Sequence, residues 1–143
     1  MGQVVFVQKD RFGDLGAWQQ NHFFDISELG FQPKDNFPYQ EGWLVNPYSN
    51  KFEIPAVHSI TINSIQDDGE RNRHLLEKYG ADIETMEGAS LHYVCLKENI
   101  SFVQLRAVSN EVGQRDKKHW RLNEAIENLH YFTKQFLAQI KTG

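Results

Sequence analysis

Between residues 58 and 110 the chain changes its hydrophobic period four times, through SITINSI, DDGERNRHLLEKYG, ADIETM, EGASLHYVCLKEN and ISFVQLRAVSN. Short β-branched runs alternate with longer stretches of helical period, which is a βαβαβ pattern. A strand returning to the same sheet through a helix runs parallel to its predecessor, so the pattern predicts an α/β fold. Its central sheet should be mainly parallel or mixed, with helices on its faces. Punctuation supports the boundaries. Gly80 and Asn99 follow the two helical stretches, where a left-handed residue ends a helix, and Asp67 with Glu70 reads as a capping box. A last helix is predicted with Asn123 as N-cap and Glu124 and Glu127 in its first turns. Ile126, Leu129, Phe136 and Ile140 would share the face that covers the sheet.

Upstream of this core, VVFV at 4–7 is apolar without alternation, as in a strand covered on both faces. Residues 10–55 lose any helical period and read as ordered loops with short elements. Phe23, Phe24, Phe31, Phe37, Trp43 and Tyr48 carry enough apolar area there to favour packing. A chain of 143 residues buries about two thirds of its unfolded surface, in keeping with a single domain over residues 1–143.

Charge and motifs exclude several functions. A net charge of -4 without a basic stripe gives no footprint for nucleic acid or an anionic membrane. One cysteine, Cys95, forbids an intramolecular disulfide. The N-terminus lacks a signal-like segment and no window approaches a membrane span, so the cytoplasm is the default compartment. His92 and Cys95 lie one turn apart, but no further ligand pair has suitable spacing, and no metal is expected. Walker, dinucleotide and G-x-S-x-G motifs are missing, so no cofactor is expected. His119 and Trp120 precede the last helix, at an entrance or on the surface.

Two strand ends carry the chemistry, Thr85-Met86-Glu87 and Ala107-Val108-Ser109-Asn110. As neighbouring strand ends in consecutive βα units they would meet at one rim, where open α/β sheets bind ligands. Read by residue type alone, Met86 is core, Glu87 is a first-turn acid at the positive end of a helix, and Asn110 closes a strand in a left-handed turn.

ETMEGAS followed by LRAVSN resembles the superfamily of nucleoside phosphorylases and nucleosidases, whose members carry a Met-Glu pair and then an Arg-Ala-x-Ser-Asp/Asn segment. With ADIETMEGA and DRFGDLG the wording is most similar to the futalosine hydrolases, over nearly the whole chain. The resemblance implies a partial three-layer α/β/α sandwich of the nucleoside phosphorylase type. The implied activity is hydrolysis of a 6-oxopurine nucleoside, futalosine giving hypoxanthine in menaquinone biosynthesis.

The same resemblance assigns residues. Glu87 accepts from ribose hydroxyls and favours the oxocarbenium-like sugar, and Met86 walls the ribose. Asn110, oriented by Ser109, faces the base, and Ile65 and Gln66 hold the purine. Relatives acting on adenine usually carry Asp at this position. An amide NH2 suits the two acceptors of hypoxanthine. Alternatives are phosphorolysis of inosine-like nucleosides, an adenine-type nucleosidase, and a non-catalytic half-domain serving assembly or binding.

Members of this family are longer. Their preceding portion supplies the first strands, a glycine-rich loop and the acid that activates water. The expectation is therefore a C-terminal two thirds, inactive alone, that forms a homo-oligomer or is complemented by an N-terminal segment. Arg106 is expected to pair with Glu84. Asp14 should order a loop near a subunit boundary, and segment 31–37 falls where relatives reach into a neighbour's site.

Overall fold

The computed structural model describes residues 1–48, 53–65 and 69–141. Its strands are β1 Val4–Phe12, β2 Gly16–Gln19, β3 His22–Asp25, β4 Leu44–Val45, β5 Ala56–Thr61, β6 Ile83–Thr85 and β7 Leu105–Ala107. The helices are α1 Glu70–Tyr79, α2 Gly88–Lys97 and α3 Leu122–Lys141, with a 3₁₀ turn at Lys117–His119.

The central sheet is mixed, in the order β4-β1-β5-β6 with β7 also paired to β1. β1 with β5 and β5 with β6 are parallel, while β4 and β7 run antiparallel to β1. Val5, Phe6 and Val7 are all buried, as an apolar run without alternation requires. β1 continues past Val7 to Phe12, with a bulge in its pairing between Val7 and Lys9. The polar residues Gln8, Lys9 and Asp10 disguise that continuation in the sequence.

Period-2 alternation in and just beyond β5 assigns the two faces. Ile60 and Ile62 join Phe23 and Leu75 of α1 in one core, against which Trp18, Leu76 and Tyr79 pack. Ser59 and Thr61 point to the other face, where Thr61 meets α2. Helices therefore cover both sides, as the alternation predicts, in the three layers that the resemblance implies. α3 packs against β7 and β1.

Several local expectations are corrected. α1 has Gly69, in a left-handed conformation, as its N-cap. Glu70 is thus its first residue and cannot be the third position of a capping box, while Asp67 lies outside the described residues. Gly80 and Asn99 do adopt positive φ after α1 and α2. α3 begins at Leu122, closed by Ala125 N–H to the Arg121 carbonyl, so Asn123 lies inside its first turn. The buried stripe of α3 centres on Ala125, with Leu129 and Phe136 partly covered, whereas Ile126 is exposed. The Ile140 side chain lies outside the described residues.

The β2–β3 hairpin is tied to β1 and α1 by buried charge. Asp25 accepts from Ser27 N and Oγ, from Glu28 N and from Arg11 Nη2 at 3.0 Å. The Arg11 guanidinium also lies 3.7 Å from the Tyr79 ring centroid. Burial alone would raise the Asp25 carboxyl, but the donors from Ser27 and Glu28 and the Arg11 charge hold it below its usual range. A depressed acid contributes stability above its unfolded value and loses it as pH falls. Asp25→Asn is therefore expected to cost about 2 kcal/mol at pH 7 in urea melts. The gap to wild type should close below about pH 4. A gap of equal size at pH 3 would remove the carboxylate from the account.

Candidate active site

Three loops meet at a cleft of about 600 Å³. The β5–α1 loop contributes Ile62 and Ile65, β6 and its C-terminal end contribute Glu84, Thr85 and Met86, and the stretch after Arg106 contributes Ser109, Asn110 and Val112. Trp120 adds its ring from the turn before α3. Glycine permits the closest approach between loops, since a Cβ on Gly69 would collide with the Cα of Gly113. Among the described residues no set of three or more His, Cys, Asp or Glu side chains is placed to hold a metal. Nor, among them, is any helix long and apolar enough to cross a membrane.

The structure brings most of the sequence-predicted site residues together, but by another route than neighbouring strands. β6 pairs with β5 and β7 pairs with β1, so two strands separate them. The cleft nonetheless carries side chains from both ends. Gln66 lies outside the described residues. Ile65 and Met86 line the cleft and keep 39% and 48% of their surface exposed, so Met86 is not a core residue. Asp14 does order a loop: both its oxygens hold Asn63, through the backbone N–H and the side-chain amide at 2.9 Å, two residues before Ile65.

At the opposite wall Ser109 Oγ donates to Asn110 Oδ1 at 2.7 Å, and Asn110 Nδ2 donates to the Glu111 carbonyl at 3.1 Å. The serine proton fixes which end of the amide is oxygen and sets the NH2 against the Glu111 carbonyl. One of the two amide protons is committed to Glu111, so a single N–H remains for a base, where the sequence reading counted two. The Ser109 carbonyl accepts from Arg121 N, and Trp120 Nε1 donates to the Gln114 carbonyl at 2.7 Å, which hold this segment against the start of α3. His119 is on the surface, facing Asp116.

Glu87 stands at the rim, outside the wall itself. It occupies the N-cap position of α2 without a side-chain cap bond, so it is not the first-turn acid expected from helix electrostatics alone. Its side chain is 72% exposed, and Oε2 lies 3.7 Å from Nη1 of the wall residue Arg106. Arg106 therefore turns to Glu87 and not to Glu84. Glu84 shares the Met86 side of β6 and is half-buried, which raises its carboxyl above the usual range against a weaker opposing bond from Asn72.

Sequence reasoning missed a buried polar cluster below the first turn of α2. Asp10, Thr61, Gln104 and His92 are all buried there. His92 Nδ1 is 2.9 Å from the Leu44 carbonyl, and burial holds the ring below its usual value, as a neutral donor. Its neighbour in the helix, Cys95, is a buried free thiol. The available signal was polar residues at alternate positions, Asp10 in β1 and Ser59 and Thr61 in β5, facing the same helix.

Residues 26–138 match the family described as the phosphorylase superfamily. Futalosine hydrolase of Thermus thermophilus is 29% identical over 147 residues, covering 97% of this chain and 63% of that protein. The Streptomyces coelicolor futalosine hydrolase is 29% identical over 130 residues, covering 90% and 54%. Among solved structures, native futalosine hydrolase of Helicobacter pylori matches with a TM-score of 0.68 at 17% identity, over 97% of this chain and 61% of that one. The structural likeness is one of fold. The chain spans between about half and under two thirds of the length of these relatives.

Proposed function

Because the chain belongs to the phosphorylase superfamily, we propose that its cleft is the nucleoside site of a nucleosidase that releases hypoxanthine, with futalosine as the substrate. The observation that carries this reading is the orientation of Asn110. With its oxygen held by Ser109, the amide offers a donor to the cleft. N7 accepts in both bases, so discrimination lies at position 6: O6 of hypoxanthine accepts the remaining N–H, whereas the 6-amino group of adenine needs an acceptor. As the glycosidic bond breaks, negative charge grows on the base and positive charge on the sugar. The Asn110 N–H faces the first, and the Glu87 carboxylate at the rim faces the second, with Met86 and Ile65 as apolar walls.

The proposal extends to a homo-oligomer working in the cytoplasm. Phe31 and Phe37 are 81% and 67% exposed, and a second copy covering them would remove that apolar area from water.

Calorimetric titration with futalosine, inosine and adenosine, alongside a hypoxanthine-release assay, tests the reading. Saturable binding of the two hypoxanthine nucleosides, at least about tenfold tighter than adenosine, is expected. Equal or tighter binding of adenosine, or no nucleoside binding at all, would overturn it.

A further inference from the structure

The proposed chemistry makes no use of a carboxyl buried beneath α2. Asp10 is fully buried in the second half of β1. Its Oδ1 accepts from Thr61 Oγ1 at 3.0 Å and from Arg11 N at 2.8 Å, and its Oδ2 faces Gln104 Nε2 at 3.4 Å. Having given its proton to Asp10, Thr61 Oγ1 accepts from the backbone N–H of Ala89 at 2.7 Å and sits 3.2 Å from Thr85 Oγ1. Thr85 Oγ1 in turn accepts from Gly88 N at 3.3 Å. The first two amides of α2 thus end on a pair of hydroxyls, and the hydroxyls end on one carboxyl group. A Cβ on Gly88 would collide with Asp10 Oδ2 and with Gln104 Nε2. Glycine at this position is what lets the helix descend onto the carboxyl.

Burial raises the Asp10 carboxyl above its usual range, opposed by His92 and by the bonds from Thr61, Ser59 and Gln104. The N-terminus of a helix directly above favours negative charge there. The base end of the cleft has separate anchors. Asn63 is held by Asp14, Ser109 by Arg121, and Val108 by backbone bonds to Gly2 and Gln3.

We infer that Asp10 is a positioning residue for the sugar end of the cleft: through Thr61 and Thr85 it fixes the first turn of α2, and with it Met86 and Glu87. The inference rests on the nucleoside reading of the cleft, because it assigns the two ends of the cleft to base and sugar. Its consequence is a separation between ligands. Loss of the Asp10 carboxyl should harm recognition of a ribosylated base and spare the free base, whereas a merely structural residue would affect both.

Asp10→Asn keeps the size of the side chain, and Gln104 Oε1, buried without a partner, can accept from the new amide once Gln104 turns over. Native-state hydrogen exchange at Gly88 and Ala89 is expected to accelerate by about tenfold, a loss of the order seen when a cap is removed. Inosine affinity should fall by about tenfold while hypoxanthine affinity stays at the wild-type value. Thr61→Ser, which keeps the hydroxyl, should behave as wild type, and Thr61→Val should reproduce Asp10→Asn. Equal weakening of inosine and hypoxanthine, or unchanged exchange at the two amides, would overturn the assignment. If the wild-type chain binds neither ligand, the nucleosidase reading falls and the exchange comparison alone decides whether Asp10 anchors α2.

Discussion

Asn110→Asp is expected to reverse the preference of the cleft from hypoxanthine to adenine nucleosides. In the wild-type chain the Ser109 proton occupies Asn110 Oδ1, so the group presented to a base is N–H. Replacing that amide nitrogen with a carboxylate oxygen places an acceptor opposite O6, itself an acceptor, and removes the bond to hypoxanthine. The same oxygen can accept from the 6-amino group of adenine. Each change is worth about 1.5–2 kcal/mol, so the ratio of affinities should swing by roughly 10² to 10³ in favour of adenosine. Ser109 can still donate to the new side chain, but the bond from Asn110 Nδ2 to the Glu111 carbonyl is lost, so thermal melts of both proteins accompany the titrations to separate recognition from stability. Titration of inosine and adenosine into both proteins measures the swing directly. A ratio that moves less than about threefold would place Asn110 outside base recognition.

Glu87→Gln should cost about 100-fold in affinity for a nucleoside analogue whose sugar ring is a protonated pyrrolidine, and much less for inosine. The carboxylate is 72% exposed, makes no cap bond to α2, and has one long ion pair with Arg106. Folding therefore gains little from its charge, and thermal stability should be unchanged. A ligand that covers the rim removes water from the carboxylate and brings a cation to it. An ion pair at about 4 Å with an effective dielectric near 20 is worth on the order of 4 kcal/mol, of which roughly 2.7 survives desolvation. Wherever turnover is measurable, kcat should fall further than the affinity for substrate, because the sugar carries its charge only near the transition state. Equal losses for the cationic analogue and for inosine would leave Glu87 as a hydrogen-bonding residue with no electrostatic part.

The alternation from residue 58 onward was enough to set the fold class, because it follows from local periods. Ile60 and Ile62 belong to one face and Ser59 and Thr61 to the other whatever lies around them, and Gly80 and Asn99 stop their helices through their own backbone freedom. Met86, Ser109 and Asn110 were likewise legible as a pair of strand ends. The polar second half of β1 was not legible, since Gln8, Lys9 and Asp10 have no apolar pattern of their own.

From residue 58 onward the chain's local chemistry thus determined on its own the order of strands and helices, the ends of α1 and α2, and which residues follow β6 and β7. Tertiary structure alone decided the rest. It set β7 antiparallel on β1 and two strands away from β6, and turned Arg106 toward Glu87 and away from Glu84. It also gave Asp10 its place beneath Gly88. These are contacts between residues far apart in sequence, chosen by how sheet and helices pack and by the demand that buried polar groups find partners. No local period carries that information.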